Sequence, residues 1–216
     1  MSKKAFTLAE MLLALTVMGI VASLTIPILM QNTNQAVLKR DFSNLSQAAL
    51  LIRNEVGGTL ANAFPGNQLG SEALKEAFKQ KLSYLKDCSG SSSFGGNVAG
   101  GASAGNCWHA DNAWKLGDGT GEHAMDRPGL ILNNGTLLYF EMVKSDCSNQ
   151  TGDYKSCGII YFDVSGFKTP NTFGKDIFAV NITENEIIPW GAKKYAENTC
   201  TDGGTGYGCA SVYLYQ

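Results

Sequence analysis

The chain has 216 residues, a formal net charge of −2, and charged side chains at only 17% of its positions. That balance leaves no electrostatic footprint for nucleic acid, and no nucleic-acid partner is expected. Six cysteines, at positions 88, 107, 147, 157, 200 and 209, form no C-x-x-C pair, which sets aside zinc-ribbon and thioredoxin-type chemistry. The length suits one domain, or one domain with an appendage.

From Phe6 to Met30 nearly every residue is apolar or small, and Glu10 is the only charge. As a helix this stretch would reach about 37 Å, enough to cross a hydrocarbon core of about 30 Å. Lys3 and Lys4 precede it, and the next basic residues are Lys39 and Arg40. That asymmetry predicts a single-pass segment with the N-terminus cytoplasmic. A cleaved secretory signal is the first competing reading, but its apolar core spans only about 7–15 residues. A plain uncleaved anchor is the second, and it gives no reason for a carboxylate within the bilayer. Such a group costs on the order of 2.5–3.5 kcal/mol at the centre and less near the interface. A cut just before Phe6 would create an α-amino group, largely charged near neutrality. Glu10 lies one helical turn from it, so in a bundle the carboxylate of one copy can pair with the amine of the next.

Lys3 to Leu15, followed by Met18 to Pro27, resembles the processing and methylation segment of type IV pilins, type II secretion pseudopilins and competence pilins. The family pattern is a short basic leader, a small residue at the cut, then Phe, Thr, Leu and a Glu as fifth residue of the mature chain. An apolar helix with a late proline follows. Phe6, Thr7, Leu8, Glu10, Gly19 and Pro27 match; the residue before the cut, usually Gly, is Ala5. The resemblance implies cleavage between Ala5 and Phe6, N-methylation of Phe6, and assembly through Glu10 and Pro27. It implies a structural subunit and no enzyme, with other pilin subunits, a prepilin peptidase, an inner-membrane assembly platform and membrane lipid as partners. Residues 1–5 would be the leader, 6–30 the membrane and filament-core helix, and 31–216 an extracytoplasmic domain that includes an amphipathic helix over 31–56. The location implied is the bacterial inner membrane, then a filament at or beyond the cell surface. The alternative function is a membrane-anchored, disulfide-stapled binding module that never polymerises.

Beyond Pro27 the helical pattern resumes. Leu38, Phe42, Leu45, Ala49, Ile52 and Val56 form one apolar face, with Lys39, Arg40, Asp41, Asn44 and Arg53 mostly off it. Gly57-Gly58 predicts the stop. Ser71 is expected to cap a second helix with a stripe of Leu74, Phe78, Leu82 and Leu85. Ser89 to Asn106 holds eighteen residues of which eleven are Gly or Ser, the composition of a flexible coil.

Strands are predicted at Leu130–Leu132, Thr136–Val143, Ile159–Val164 and Ile177–Thr183, with Asn133-Asn134-Gly135 as a hairpin turn. Leu138, Phe140 and Met142 would share a face with Ile160, Phe162 and Val164 and with Phe178, Val180 and Ile182. The expected fold class is therefore α+β: a long N-terminal helix, half membrane-embedded and half amphipathic, packed on an antiparallel sheet with disulfide-closed loops. By resemblance this is the pilin fold.

Six cysteines permit fifteen connectivities. Local pairing needs the least loop closure and favours Cys88–Cys107, Cys147–Cys157 and Cys200–Cys209; the last resembles the disulfide-closed C-terminal region of pilins. No organic cofactor is expected. In the loop from Asp163 to Asp176, Asp163, Ser165, Asn171 and Asp176 offer oxygens that suit calcium. The segment resembles an Asp-x-Asn-Gly…Pro-Asn…Gly-x-Asp-x-Phe stretch of pilin-like proteins, with Ser165 in place of Asn. The competing reading is an Asp/Asn-rich turn closed by its own hydrogen bonds. His109 and His123, near Asp111, Asp118, Glu122 and Asp126, match no metal-ligand spacing. Gly117 to Gly121 lacks the Lys-Ser/Thr of a phosphate loop. Trp108, Trp114, Trp190 and Tyr207 are expected in core or loop packing.

Overall fold

The computed structural model describes residues 7–88, 114–120, 122–123, 128–151, 154–192, 199–201 and 203–215. Its first element, α1, is one helix from Leu8 to Glu55, about 72 Å long at the usual rise. Pro27 lies inside it and does not end it. The helix stops where the glycine pair predicts, one residue short of the expected limit. Val56 is the C-cap, and Gly58 N–H reaches back to the Arg53 carbonyl at 2.8 Å. Gly57 and Gly58 take φ of 101° and 94°, a region that side chains with a Cβ avoid.

Helix α2 runs from Gln68 to Lys79. Its cap is Asn67, whose side chain accepts from Gly70 N–H at 3.2 Å, and not Ser71 as the sequence suggests. Ser71 is fully buried within the first turns, and its hydroxyl accepts from Met142 N–H at 2.9 Å, tying α2 to the sheet. Leu74 and Phe78 are buried as expected, while Leu85 leaves the stripe because it lies on a strand and is exposed.

The main sheet has six antiparallel strands. In chain order they are β1 (Tyr84–Cys88), β4 (Gly129–Leu132), β5 (Leu137–Met142), β8 (Gly158–Asp163), β9 (Ile177–Ile182) and β10 (Ile187–Pro189), and they lie side by side in that order. Two small hairpins, β2–β3 (Trp114–Lys115 with Glu122–His123) and β6–β7 (Asn149–Thr151 with Tyr154–Ser156), stand apart from it. A short C-terminal helix, α3, covers Cys209–Tyr215.

The nine side chains assigned to one face by alternation all enter a single core. The same core takes Leu38, Leu45, Ala48, Ala49 and Ile52 from α1 and Leu74 and Phe78 from α2. Val56, the last residue of the proposed stripe, is exposed. The opposite sheet face is buried as well. Leu137, Tyr139, Ile159, Tyr161, Phe173, Ile177 and Ala179 form a second core, joined by Trp190 and Tyr207. Trp190 stacks on Phe173 at 6.2 Å between ring centres, and its indole N–H donates to Asn181 Oδ1 at 2.9 Å. The packing expected of Trp190 and Tyr207 is thus found; Trp108 lies outside the described residues.

Two charged groups hold helices to this sheet. Asp41, expected off the apolar face, is buried at 1% exposure. Its carboxylate accepts from Asn134 Nδ2 at 2.9 Å through each oxygen, from Thr136 Oγ1 at 2.5 Å and from Arg40 Nε at 3.1 Å. Helix α1 therefore grips the β4–β5 turn. On α2, Lys75 is wholly buried, and its Nζ meets Asp87 Oδ1 at 2.6 Å, Glu72 Oε1 at 2.7 Å and Glu76 Oε1 at 3.1 Å. Lys79 bridges Glu76 and Asp87, each at 2.6 Å. Burial alone would pull the Lys75 ammonium down, but its bonds to Asp87, Glu72 and Glu76 outweigh this and hold it above the ordinary lysine value. The bond from Lys79 holds the Glu76 carboxyl below the ordinary glutamate value.

Replacing Asp41 with Ala should destabilise the solubilised chain by about 3 kcal/mol in denaturant titration, because buried donors on Asn134 and Thr136 lose their acceptor. Replacing Lys75 with Met should cost about 3 kcal/mol, since Asp87 and the glutamates lose their central cation. The lowered Glu76 value makes its contribution full above the ordinary glutamate range and lost as pH falls through the folded value. Melting temperature should accordingly drop below about pH 4.3, with a shallower drop in Glu76→Gln. The raised Lys75 value places its own loss only in strong base, as pH rises past the folded value.

Candidate functional site

The candidate site is the start of α1. Thr7 is its N-cap and Glu10 its third residue, and together they form a reciprocal capping box. Thr7 Oγ1 accepts from Glu10 N–H at 3.3 Å, while the Thr7 N–H and hydroxyl donate to Glu10 Oε2 at 2.8 and 2.9 Å. Both donors address one oxygen. Among the described residues Oε1 accepts nothing, so the box fixes the carboxylate and leaves half of it for another partner. Ala5 and Phe6 lie outside the described residues. Pro27 is carried within the helix, 17 residues further on.

The segment Leu8–Ile26 is long and apolar enough to cross a membrane, and none of it is buried in the fold. Leu8, Leu13, Leu15 and Met18 each expose about two-thirds or more of their surface. The hydroxyls in this stretch need no outside partner. Thr16 donates to Leu12 O at 2.7 Å, Ser23 to Ile20 O at 2.8 Å and Thr25 to Val21 O at 3.0 Å. Among the described residues of the span, Glu10 is the only charged side chain. A carboxylate so held can accept a hydrogen bond or pair with a cation.

Among the described cysteines, Cys147 pairs with Cys157 and Cys200 with Cys209, as local pairing favours. Cys88, at the end of β1, is buried and disulfide-bonded; Cys107, its expected partner, lies outside the described residues. The two pairs fasten the β6–β7 hairpin and the start of α3.

The loop between β8 and β9 brings Asp163, Ser165, Asn171 and Asp176 together, as the sequence suggests. Asp163 Oδ1 accepts from Ser165 N–H at 2.9 Å and stands 3.0 Å from its hydroxyl. Asp176 accepts from Thr172 N–H at 2.7 Å through Oδ1 and from Asn171 N–H at 2.9 Å through Oδ2, which also lies 3.1 Å from Ser165 Oγ. Both carboxylates are fully buried. Their oxygens face N–H and O–H donors that a cation would have to displace, and among the described residues no group of three or more His, Cys, Asp or Glu gathers as a metal cluster. His109, Asp111 and Asp126 lie outside the described residues. Asp118 accepts from Thr120 N–H at 2.8 Å and its hydroxyl at 2.7 Å in a tight turn, which holds its carboxyl below the ordinary aspartate value.

Sequence reasoning located Glu10 but missed that Thr7 fixes it; the signal was there as a Thr-x-x-Glu capping pattern ahead of an apolar run. Residues 1–26 match the prokaryotic N-terminal methylation motif, the cleavage and methylation signal of type IV pilins and pseudopilins. The match covers the N-terminal segment alone, and the likeness is to that signal. No curated protein and no solved structure matches the chain.

Replacing Asp176 with Asn should lower stability by about 2 kcal/mol, because an amide NH₂ would face the donors of Asn171 or Thr172. Thermal unfolding followed by near-UV dichroism checks this, and an unchanged midpoint would show that the loop does not depend on that carboxylate.

Proposed function

We propose that this chain is a structural subunit of a type IV pilus, type II secretion or competence filament, assembled through its processed N-terminal helix. Cleavage between Ala5 and Phe6 removes the leader with Lys3 and Lys4, and Phe6 becomes the methylated terminus. The globular part then stands outside the inner membrane, and α1 packs with the helices of neighbouring subunits. The observation that carries this reading is the methylation motif over residues 1–26 with Glu10 as the lone charge of the Leu8–Ile26 span.

The physical logic is a charge held ready. In hydrocarbon, an unpaired carboxylate and an unpaired terminal amine are each costly. Pairing the Glu10 carboxylate of one subunit with the amine of another removes both costs at once, and sets the axial offset between helices. The capping box pre-orients the acceptor, so little side-chain freedom remains to be lost on pairing. The exposed leucines and methionines of the span, satisfied by lipid before assembly, supply the packing surface afterwards.

Calcium at the Asp163–Asp176 loop is a subsidiary proposal, supported by the two carboxylates and Ser165 meeting there. A melting temperature that responds neither to calcium nor to chelator removes it and leaves the filament reading intact.

Replacing Glu10 with Leu should leave membrane insertion unchanged and reduce incorporation into filaments by tenfold or more. That loss corresponds to at least about 1.4 kcal/mol of lost pairing. Cell fractionation and filament shearing measure the two steps separately. Intact mass of the mature protein should correspond to a chain beginning at methylated Phe6; a mass that retains Lys3 and Lys4 would contradict the assembly route.

A further inference from the structure

Helix α1 meets the globular head at a defined height above the apolar segment. Asn34 Nδ2 donates to the Lys175 carbonyl at 3.1 Å, and among the described residues this is the first hydrogen bond along α1 that reaches the head. Asn34 lies eight residues past Ile26, where the span ends, and four past Met30, where the apolar run ends. Those separations correspond to about 12 and 6 Å of helix rise. The headgroup layer is about 5–8 Å thick on each side of the hydrocarbon, and helix tilt reduces both heights. Counted from Met30 the Lys175 turn falls within that layer, and counted from Ile26 it falls just beyond it.

A cleft of about 610 Å³ opens at that level. It lies between Asn34, the Phe173–Lys175 turn, the Cys200–Cys209 disulfide and Tyr213, and the backbone of Gly203, Gly204 and Gly206 completes its wall. The volume lies within the range of small-molecule sites. Among the described lining residues Lys175 is the only charged one. Its side chain is exposed, whereas neighbouring Asp176 is buried and engaged by Thr172 and Asn171.

We propose that this cleft seats the headgroup of an anionic phospholipid while the chain is anchored in the membrane, with Lys175 facing the phosphate and Tyr213 at the glycerol boundary. The assignment rests on the membrane anchoring proposed above but not on polymerisation. Two features favour a lipid: the closeness of the cleft to the apolar span along α1, and a charge of the sign that attracts anionic headgroups; Tyr213, half-buried against Phe178, presents an amphipathic ring in the same cleft. The head would thus be held upright on the bilayer before it leaves for a filament.

The full chain, carrying photoreactive benzoylphenylalanine in place of Tyr213, is reconstituted into vesicles of phosphatidylcholine alone or mixed with phosphatidylglycerol. Val56, 22 residues beyond Asn34 and exposed, serves as the distal control position. Crosslinking to lipid at position 213 should exceed that at position 56, rise with phosphatidylglycerol, and fall about fivefold in Lys175→Ala, the factor expected for one basic side chain near an anionic surface. Hydrogen exchange of residues 170–175 in the chain with Tyr213 intact should slow in the anionic vesicles, which keeps the proposal testable if the probe disturbs folding. A yield equal at both positions, one indifferent to Lys175, or crosslinks to a second copy of the chain would overturn the proposal. So would full competition by soluble glycerol phosphate, which would assign the cleft to a free phosphate. A chain that floats with vesicles yet fails these tests refutes the cleft alone, whereas one that does not float refutes the anchoring beneath it.

Discussion

The contact on which the rest of the fold depends is the grip of Asp41 on the β4–β5 turn. A helix of 48 residues with an apolar first half has no intrinsic reason to dock its second half at one angle and one height. Apolar stripes slide; a buried carboxylate does not. Once Asp41 is out of water its lone pairs have to be met, and among the described residues the side chains of Asn134 and Thr136 at the β4–β5 turn, with Arg40 at the rim, meet them. The turn is itself rigid, since Leu132 N–H bonds Thr136 O and Gly135 N–H bonds Leu132 O, each at 2.9 Å. Gly135 adopts the positive φ that such a three-residue hairpin loop needs. The helix is thereby registered against a strand pair, and the strand pair carries the sheet.

Much of this arrangement was legible because alternation and helical spacing report burial directly. The nine strand residues chosen by period two are the ones that meet α1 and α2. What stayed hidden has physical causes. Asp41 sits between Leu38 and Leu45 on the buried side of the helix, but a charged residue is scored as solvent-facing unless its partners are known, and those lie more than ninety positions away. Strand β1 reads Tyr84-Leu85-Lys86-Asp87-Cys88, with no alternation to betray it, because it is an edge strand exposed along much of its length. The second core was missed for a related reason. Tyr139 and Tyr161 alternate with the core-facing residues of β5 and β8, and the side chains that cover them come from the β8–β9 loop (Phe173) and from beyond β10 (Trp190 and Tyr207), whose course sequence spacing does not specify. In the Asp163–Asp176 loop the carboxylates face backbone N–H groups and the Ser165 hydroxyl, and the N–H donors are ones that no side-chain pattern displays.

Two carboxylates on α1 divide the labour of the chain. Asp41 is answered within the molecule. Glu10, 31 residues and about 46 Å away along the helix, is answered by Thr7 through one oxygen only. If both were fully met inside the subunit, the helix would be a finished anchor with nothing to specify a neighbour. If neither were, the head would swing freely on its stalk and any pairing at the far end would fail to fix its position in an assembly. In the proposed filament, a rigid link between head and helix would convert a single charge pair near the N-terminus into a repeat in which heads as well as helices are ordered.

The same rigidity bears on how the head waits in the membrane. With α1 unbroken from Leu8 to Glu55 and the head locked on it at Asp41 and Asn34, tilt of the span becomes tilt of the head. Such a coupling means that contacts made by the head at the bilayer surface act on the helix as a lever, and contacts made by the helix act on the head. The proposed lipid cleft beside Asn34 lies near the fulcrum, where a bound headgroup would restrain tilt without burying the surfaces higher on the head. In the proposed filament, release from lipid and capture by a neighbouring subunit would be linked, because the head moves with the helix that carries Glu10.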